Sequence, residues 1–305
     1  MNWLVAPVIG LSGAVGLAKL EAANIPIPNG SFESPSTTFV DTHIDSWQKA
    51  PKPDWYAEGG GYTWDQLTGV FMNTSLTSAD HIDNCDGNQA MWMFAVPEVG
   101  VFQDYNSIDW AHTMPTHDFN AAFELGKSYH LTIGVIGGGG GMVPGASLEV
   151  SLYYRDAVSN MVRIAAVNIT NSPAVFSNNT HLIDFRVDVP PVRPSDAWAG
   201  QKIGIHMLST VSSNLEGGYW DLDNVRLSSV IEPMLANPVR TNGQFKFTLH
   251  GEPGLRFEIL AATNLALPPA SWTSLGTLTN LTGAATFSDV AANFNGRFYR
   301  ARQVP

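Results

Sequence analysis

Residues 217–227 constrain the fold of this chain more than any other stretch. After two glycines, aromatic and branched residues alternate with polar ones as far as Leu227, which is the period-two pattern of a β-strand. Asp221 and Asp223 stand two residues apart on this strand and therefore point to the same face. A buried carboxylate without a partner is very costly. The pattern thus predicts that these acids meet either a calcium ion or a basic side chain.

The chain from Ile25 to about Ser229 has the pattern of β-structure throughout. Short apolar stretches alternate with clusters of turn residues, and no helical periodicity is sustained. Residues 148–154 alternate cleanly, which predicts a strand with one buried face. Apolar residues make up 44% of the chain and charged residues only 14%, with 28 Gly and 19 Pro. This composition favours an all-β secreted protein over a helical one.

The charge distribution excludes one class of partner and divides the chain. The formal net charge is −11 and the basic residues form no cluster, which excludes nucleic acid as a partner. Residues 24–237 hold 9 Lys and Arg against 23 Asp and Glu, whereas residues 238–305 hold 6 against 3. This shift predicts a large domain at 24–230, a linker at 231–237 and a small domain at 238–305.

The N-terminal residues 1–23 have the pattern of a secretory signal peptide. An apolar run is followed by small residues that suit a cleavage region. The sequence therefore predicts a protein that is secreted or held at the cell surface, with no membrane span after signal removal. Cys85 is the only cysteine, so no disulfide can form within the chain, and a metal is the candidate supplement to core packing.

Residues 52–65 form a long stretch rich in aromatic residues and glycine. Rings that stack on the apolar face of a sugar, beside acids that bond its hydroxyl groups, are typical of a carbohydrate site. The candidate ligand-binding residues are Trp55, Tyr56, Tyr62 and Trp64. The alternative is that Trp55 and Trp64 only cover one end of a β-sandwich.

Two distant motifs carry a resemblance to a known group of proteins. Residues 29–33 read Asn-Gly-Ser-Phe-Glu, and residues 219–227 read Tyr-Trp-Asp-Leu-Asp-Asn-Val-Arg-Leu. Together they resemble secreted bacterial jelly-roll modules related to calcium-containing carbohydrate-binding modules. The resemblance implies a jelly-roll β-sandwich with a buried structural calcium shared by Glu33 and Asp223, for which Asp221 is a substitute ligand. The alternative is that the two aspartates bond turn amides or pair with a base such as Arg226.

The tail carries a second resemblance. About five strands are expected after residue 238, and the first of them alternates Phe245, Phe247 and Leu249 with polar residues. The ending Arg-Phe-Tyr-Arg at 297–300 resembles that of small C-terminal β-sandwich modules in secreted bacterial proteins. The resemblance implies a small immunoglobulin-like β-sandwich.

Catalytic motifs are missing from the sequence. The paired glutamates of jelly-roll glycosidases, the Gly-x-Ser-x-Gly elbow and the His-Glu-x-x-His zinc helix do not occur. The expected function is therefore non-catalytic binding of a polysaccharide or glycoconjugate outside the cell, and the chain is predicted not to be an enzyme. The alternative is a structural or adhesive cell-surface protein. Exposure of the four aromatic rings on one surface would favour sugar binding, and their burial would favour the structural role.

Overall fold

The structure is a computed structural model that describes residues 22–59, 61–107, 119–290 and 296–304. The predicted signal peptide lies outside the described residues as far as residue 21. About 47% of the chain is strand and 3% is helix, so the predicted all-β fold class is confirmed. The described residues contain no helix that is both long enough and apolar enough to cross a membrane.

The chain divides into two compact units, at 23–229 and 230–305. Besides a short 3₁₀ turn at Trp64–Leu67, the first unit is built from twelve strands in the described residues. They are β1 (Ala23–Ile25), β2 (Val40–Asp41), β3 (Gln48–Lys49), β4 (Thr68–Met72), β5 (Gln89–Phe94), β6 (Gly100–Gln103), β7 (Lys127–Gly139), β8 (Ser147–Arg155), β9 (Met161–Thr170), β10 (Ile183–Val189), β11 (Gly204–Ser209) and β12 (Tyr219–Ile231).

The twelve strands form two sheets that face each other as a sandwich. The seven-stranded sheet has the order β10-β7-β12-β5-β4-β2, with β1 also pairing with β12. The five-stranded sheet has the order β3-β6-β11-β8-β9. The strand predicted to organise the chain is therefore β12, and it lies at the centre of the larger sheet. Its position between β7 and β5 means that both of its edges are paired with neighbouring strands.

The core between the sheets takes alternate residues of each strand. On β12, Trp220 and Leu222 point into this core and are fully buried. After Leu222 the next core residue is Val225, so two residues separate them instead of one. Asn224 has a φ of 57°, the left-handed conformation that asparagine tolerates better than most residues. Because alternate residues share a face, Asp221 and Asp223 lie on the side of the sheet that faces away from the main core, and the irregularity at Asn224 returns Val225 to the core.

The second unit is a small sandwich of its own. Its strands are β13 (Met234–Thr241), β14 (Gln244–His250), β15 (Arg256–Ala262), β16 (Thr273–Thr279), β17 (Ala284–Asp289) and β18 (Phe298–Val304), with a 3₁₀ turn at Pro269–Ser271. They form two three-stranded sheets with the orders β13-β14-β17 and β16-β15-β18. The immunoglobulin-like character of this unit stays a prediction.

The predicted linker at 231–237 differs from the structure. Strand β12 extends to Ile231, and β13 begins at Met234 and pairs with β14. The connection contains Pro233 and is followed by Pro238, and a proline is tolerated in a strand where a ladder hydrogen bond is missing. The register of β13 indeed shifts between Ala236 and Val239, around Pro238. The connection is therefore mostly strand.

Candidate functional site

The outer face of the seven-stranded sheet carries an acid beside a tryptophan. Strands β12 and β5 are antiparallel, with Asp221 directly opposite Trp92 and Tyr219 directly opposite Phe94. Residues opposite each other on antiparallel strands project to the same face, with Cβ atoms about 5 Å apart. The side chains of Asp221 and Trp92 are thus neighbours on the face that turns away from the main core.

The carboxyl group of Asp221 is surrounded by protein and has no polar partner. Within the residues that the structure describes, it makes no hydrogen bond and no ion pair, although the residue keeps some accessible surface. Burial alone raises the pKa of Asp221 from 3.8 to about 7, because the charged form loses water without gaining a partner. A carboxyl group with these properties can both give and take a proton near neutral pH.

A row of aromatic rings extends from this acid towards solvent. The ring centroids of Tyr219 and Phe94 are 6.1 Å apart, and those of Phe94 and Tyr62 are 5.0 Å apart. Residues 137–141 are five consecutive glycines, called here the glycine run. The ring of Tyr219 lies against its backbone: a Cβ atom on Gly139 would come within 2.4 Å of the ring, and one on Gly140 within 2.8 Å. These two glycines provide the space in which the ring lies.

The ring of Trp92 is fixed in a similar way on the other side of Asp221. Its Nε1 donates a hydrogen bond of 3.2 Å to the carbonyl of Gln66. A Cβ atom on Gly69 would lie 2.2 Å from the ring, so only glycine leaves room for it on β4. Asp221 therefore has two aromatic neighbours on this face, and each of them closely approaches backbone.

Two of the four predicted ligand-binding rings are covered. Trp64 is only 8% exposed and belongs to the main core, where its Nε1 donates to the carbonyl of Ala50 at 2.8 Å. Tyr56 is half-buried against the same core, and its ring centroid is 5.0 Å from that of Trp64. Because its indole N–H has a partner, Trp64 can be buried at little cost. The prediction that Trp64 offers a ring to a ligand is therefore corrected.

The other two predicted rings are open to solvent. Trp55 is 50% exposed and Tyr62 is 57% exposed. The Nε1 of Trp55 donates a 3.0 Å hydrogen bond to Glu98, which fixes the direction of the indole. Trp55 meets Tyr56 edge-on, at an interplanar angle of 77°, so these rings form no continuous flat platform. Tyr62 instead continues the row that leads to Asp221.

The two motifs that carried the family resemblance meet in space. The backbone N–H of Val225 on β12 donates to the carbonyl of Gly30 at 2.8 Å. Glu33 lies against the turn at 86–89, where its Oε1 accepts the N–H groups of Asn88 and Gln89, both at 2.7 Å. The opening motif and the closing strand are thus neighbours, as the resemblance implies.

Asp223 approaches the same turn from the other side. It is 0% exposed, and its two oxygens accept the N–H groups of Asp86 and Asn224, each at 2.6 Å. Burial raises the pKa of Asp223 to about 7, although these hydrogen bonds oppose the rise. The same burial raises the pKa of the Cys85 thiol, and the nearby charge of Asp223 raises it further. The thiol is therefore held in its unreactive, protonated form.

The arrangement distinguishes among the partners predicted for the two aspartates. Arg226 pairs with Asp184, 2.6 Å away, and with neither predicted acid. Turn amides are the partners of Asp223. No group of three or more His, Cys, Asp or Glu side chains suited to a metal occurs among the described residues. A calcium ion between Glu33 and Asp223 would therefore take most of its oxygen ligands from backbone carbonyls. Asp221 shares no hydrogen-bond partner with this pair.

Sequence reasoning missed three of the residues around Asp221. Trp92 and Phe94 alternate with Met91 and Met93, and all four are large and apolar. The pattern indicates a strand but does not say which face is the core. Only the contrast between the two stiff aromatic side chains on one face and the two flexible methionine side chains on the other could have indicated which face points to the core. Tyr219 was part of the predicted strand, yet its role depends on the distant glycine run.

Comparisons with known proteins show a similarity of fold to solved structures. No family model matches the sequence, and no curated protein matches it. A cyclase from Fischerella sp. TAU matches in structure with a TM-score of 0.50 and 21% identity, covering 70% of this chain and 100% of the cyclase. A Fischerella cyclase in complex with 4-(1H-indol-3-yl)butan-2-one matches with a TM-score of 0.49 and 20% identity, over 70% of this chain and all of that one.

A carbohydrate-binding module is also among the solved structures that match. The CBM22-1 xylan-binding domain of a Paenibacillus barcinonensis protein is 13% identical, with a TM-score of 0.34, over 61% of this chain and 87% of that one. Carbohydrate-binding modules of the jelly-roll type are thus among the structural neighbours at low identity. A likeness this weak does not identify the ligand of the present chain.

The prediction that the chain is not an enzyme is corrected by these comparisons. The cyclase that matches over the whole of its length with a TM-score of 0.50 is an enzyme. The prediction rested on the absence of known catalytic motifs, and a fold can support catalysis with residues that no motif contains.

Proposed function

We propose that this protein is an enzyme that holds a flat organic ligand on the outer face of its seven-stranded sheet and transfers a proton through Asp221. The observation that carries the proposal is the Asp221 carboxyl, which is enclosed by protein, lacks a polar partner and has a pKa raised to about 7. Proteins usually pair a buried acid, and unpaired ones with a strongly shifted pKa occur preferentially at functional sites.

The chemistry is that of a general acid. Near pH 7 both forms of Asp221 are populated, so the protonated form can give its proton to a basic atom of the ligand. The resulting carboxylate then takes a proton back from the product or from water, which restores the acid. Burial and the charges of Asp221 and Asp80 raise the pKa of Tyr219, so its hydroxyl keeps its proton and can orient the ligand.

The ligand is recognised by a flat apolar face. The rings of Trp92 and Tyr219 neighbour one acid, and those of Phe94 and Tyr62 continue from Tyr219. This surface suits a molecule with much apolar surface and few polar groups. Sugar rings and indole-type aromatic compounds both have such a face. The structural matches include a xylan-binding module and a cyclase bound to an indole ketone, so both kinds of compound are the probes to try.

The test combines binding and turnover. The protein is mixed with xylan and other soluble polysaccharides, their oligosaccharides, and 4-(1H-indol-3-yl)butan-2-one, and binding and conversion are followed by NMR and mass spectrometry. Asp221→Asn should keep binding and lose at least about 100-fold in turnover, the usual size of a general-acid contribution. Asp184→Asn, which removes an exposed carboxylate from the same sheet, should be unaffected. Full turnover in Asp221→Asn, or no conversion of any probe, would overturn the proposal.

A second candidate function is the binding of a polysaccharide or glycoconjugate by the exposed rings of Trp55 and Tyr62. The observation that favours it is the indole of Trp55, exposed yet held in one orientation by Glu98. A Trp55→Ala/Tyr62→Ala double variant should lose retention on the polysaccharide that retains the natural protein, whereas Phe39→Ala, at another exposed ring, should not. Retention on no polysaccharide at all would exclude this function.

We further propose that a structural calcium between Glu33 and Asp223 stabilises the first unit of a protein that is secreted or held at the cell surface. The ion would replace the N–H donors that now satisfy the two carboxylates, of which Asp223 is fully buried. Excess chelator should then lower the melting temperature by several degrees, and added calcium, but not magnesium, should restore it. An identical melt with and without chelator would rule out the ion.

A further inference from the structure

The outer face of the other sheet contains a cleft that plays no part in the function proposed above. The cleft has a volume of about 260 Å³ and is open on one side to solvent. It is lined by six residues of β8, β9 and β11: Glu149, Ser151, Tyr153, Met161, Arg163 and His206. None of them belongs to the sheet that carries Asp221, so this cleft and the Asp221 face are separate surfaces of the first unit.

The strand pairing explains why a cleft forms at this point. Ser151 on β8 lies opposite His206 on β11 and opposite Ala166 on β9. Two small side chains therefore meet in the middle of the sheet. The larger side chains of Tyr153 and Glu149 stand on either side of Ser151 along β8, because alternate residues of a strand share a face. A depression bounded by large groups is the result.

His206 forms one wall of the cleft, and its imidazole ring is held without any hydrogen bond in the described part of the chain. The ring lies edge-on between Phe102, 6.2 Å away, and Tyr153, 6.3 Å away. Burial lowers the pKa of His206 to about 4, so the ring is neutral at physiological pH. A neutral imidazole has one donor and one acceptor. The residue is half-buried and its ring nitrogens have no described protein partner, so both positions are open to a ligand from outside the protein.

The floor and the rim add further polar groups. Ser151 is only 3% exposed, and its hydroxyl has no protein partner among the described residues. At the rim, Arg163 and Glu149 form an ion pair, which leaves the cleft without net charge while offering both donors and acceptors. The hydroxyl of Tyr153 is already used, since it donates to Asp104 at 2.5 Å, so Tyr153 offers its ring and not its hydroxyl.

We propose that this cleft binds a neutral, polyhydroxylated ligand of about one or two sugar rings. A hydroxyl group both donates and accepts, and so matches the free positions of His206 and Ser151. A charged ligand finds no excess charge of opposite sign, because Arg163 and Glu149 already neutralise each other. The volume lies just below the roughly 300 Å³ at which pockets for drug-sized ligands begin, which limits the ligand to a small saccharide unit.

The test measures the binding of neutral mono- and disaccharides by calorimetry and NMR, with glucuronate and glucosamine as charged counterparts. His206→Phe removes both imidazole positions but places an apolar ring between two aromatic rings, so the variant should fold. It should weaken binding at least about tenfold, and Ser151→Ala should weaken it several-fold. Arg163→Gln, which removes the charge balance of the cleft, should weaken binding of the neutral sugars, and Arg302→Gln, which breaks an ion pair in the second unit, is its matched control and should bind normally.

The signal of His206 gives a readout that does not depend on affinity. Its ring nitrogen resonances should report a neutral imidazole in the free protein and should shift when the sugar is added. Unchanged affinity in both His206→Phe and Ser151→Ala would overturn the inference, as would binding of the charged sugars alone. Binding that is lost only in the Trp55→Ala/Tyr62→Ala variant would assign the sugar to that surface and also overturn it.

Discussion

Replacing Asp221 with asparagine is expected to raise the free energy of unfolding at pH 8 and to leave it nearly unchanged at pH 4. The folded-state pKa of Asp221 is about 7, above its ordinary value of 3.8. Well below pH 3.8 the carboxyl is protonated in both the folded and the unfolded chain, and at pH 4 the unfolded carboxyl is only partly ionised, so the loss of stability is still small. As the pH rises towards 7 and beyond, the unfolded chain ionises more readily, so the folded state loses stability on the order of 4 kcal/mol. Asparagine has nearly the same shape and never ionises, so it avoids this loss.

Chemical denaturation of the natural protein and of Asp221→Asn between pH 4 and pH 8 measures this difference. Asp223 also has a pKa raised to about 7, so the variant should keep some pH dependence with a shallower slope. Asp184→Asn serves as the control, because its carboxylate is exposed and paired with Arg226. Parallel curves for Asp221→Asn and the natural protein would show that the acid is not buried as described.

A substitution that stabilises the fold while removing turnover is the expected behaviour of a functional acid. Nothing in the packing of the sheet requires a carboxyl at this position, since Asp221 makes no described hydrogen bond. Its unfavourable burial is retained where asparagine would serve the fold better, and functional groups are commonly kept at such a cost. Asp223 differs, because its oxygens satisfy two backbone N–H groups that asparagine could not both accept.

Sequence patterns predicted the fold and the meeting of distant segments correctly. Alternation in residues 219–227 identified the strand that became the centre of the larger sheet. The resemblance implied that Glu33 lies near Asp223, and both carboxylates accept backbone hydrogen bonds from the turn at 86–89. A strand can be predicted from the sequence because its alternation of apolar and polar residues involves only consecutive positions.

The candidate site was less accessible to sequence reasoning. The sequence suggested a base as one partner of Asp221, whereas Asp221 pairs with no basic side chain among the described residues. The reason is that the neighbouring strands of the sheet determine what surrounds each aspartate. Trp64 was a candidate ligand-binding ring, with burial at one end of the sandwich as the alternative, and the carbonyl of Ala50 supplies the partner that allows its burial. These outcomes depend on contacts between segments far apart in sequence.

Replacing Gly69 with alanine is expected to destabilise the first unit by about 3 kcal/mol. The new Cβ would lie 2.2 Å from the ring of Trp92 and 2.3 Å from the backbone oxygen of Asp41. The hydrogen bond from Trp92 to Gln66 restrains the ring on one side, and the carbonyl belongs to the paired edge strand β2 on the other. Neither atom can yield without moving backbone or breaking that bond, and overpacking of this kind costs about 1–3 kcal/mol or more.

Gly61→Ala is the matched control, because a Cβ at that position meets no atom within 4 Å. Its unfolding free energy should stay within about 0.5 kcal/mol of the natural protein, as is usual for surface changes. In Gly69→Ala the indole N–H resonance of Trp92 should move as the ring is displaced from its place beside Asp221. A melt equal to that of Gly61→Ala would show that Trp92 is free to move away. In that case the ring could not define the position of a ligand over Asp221, and the proposed site would lose one of the aromatic side chains beside that acid.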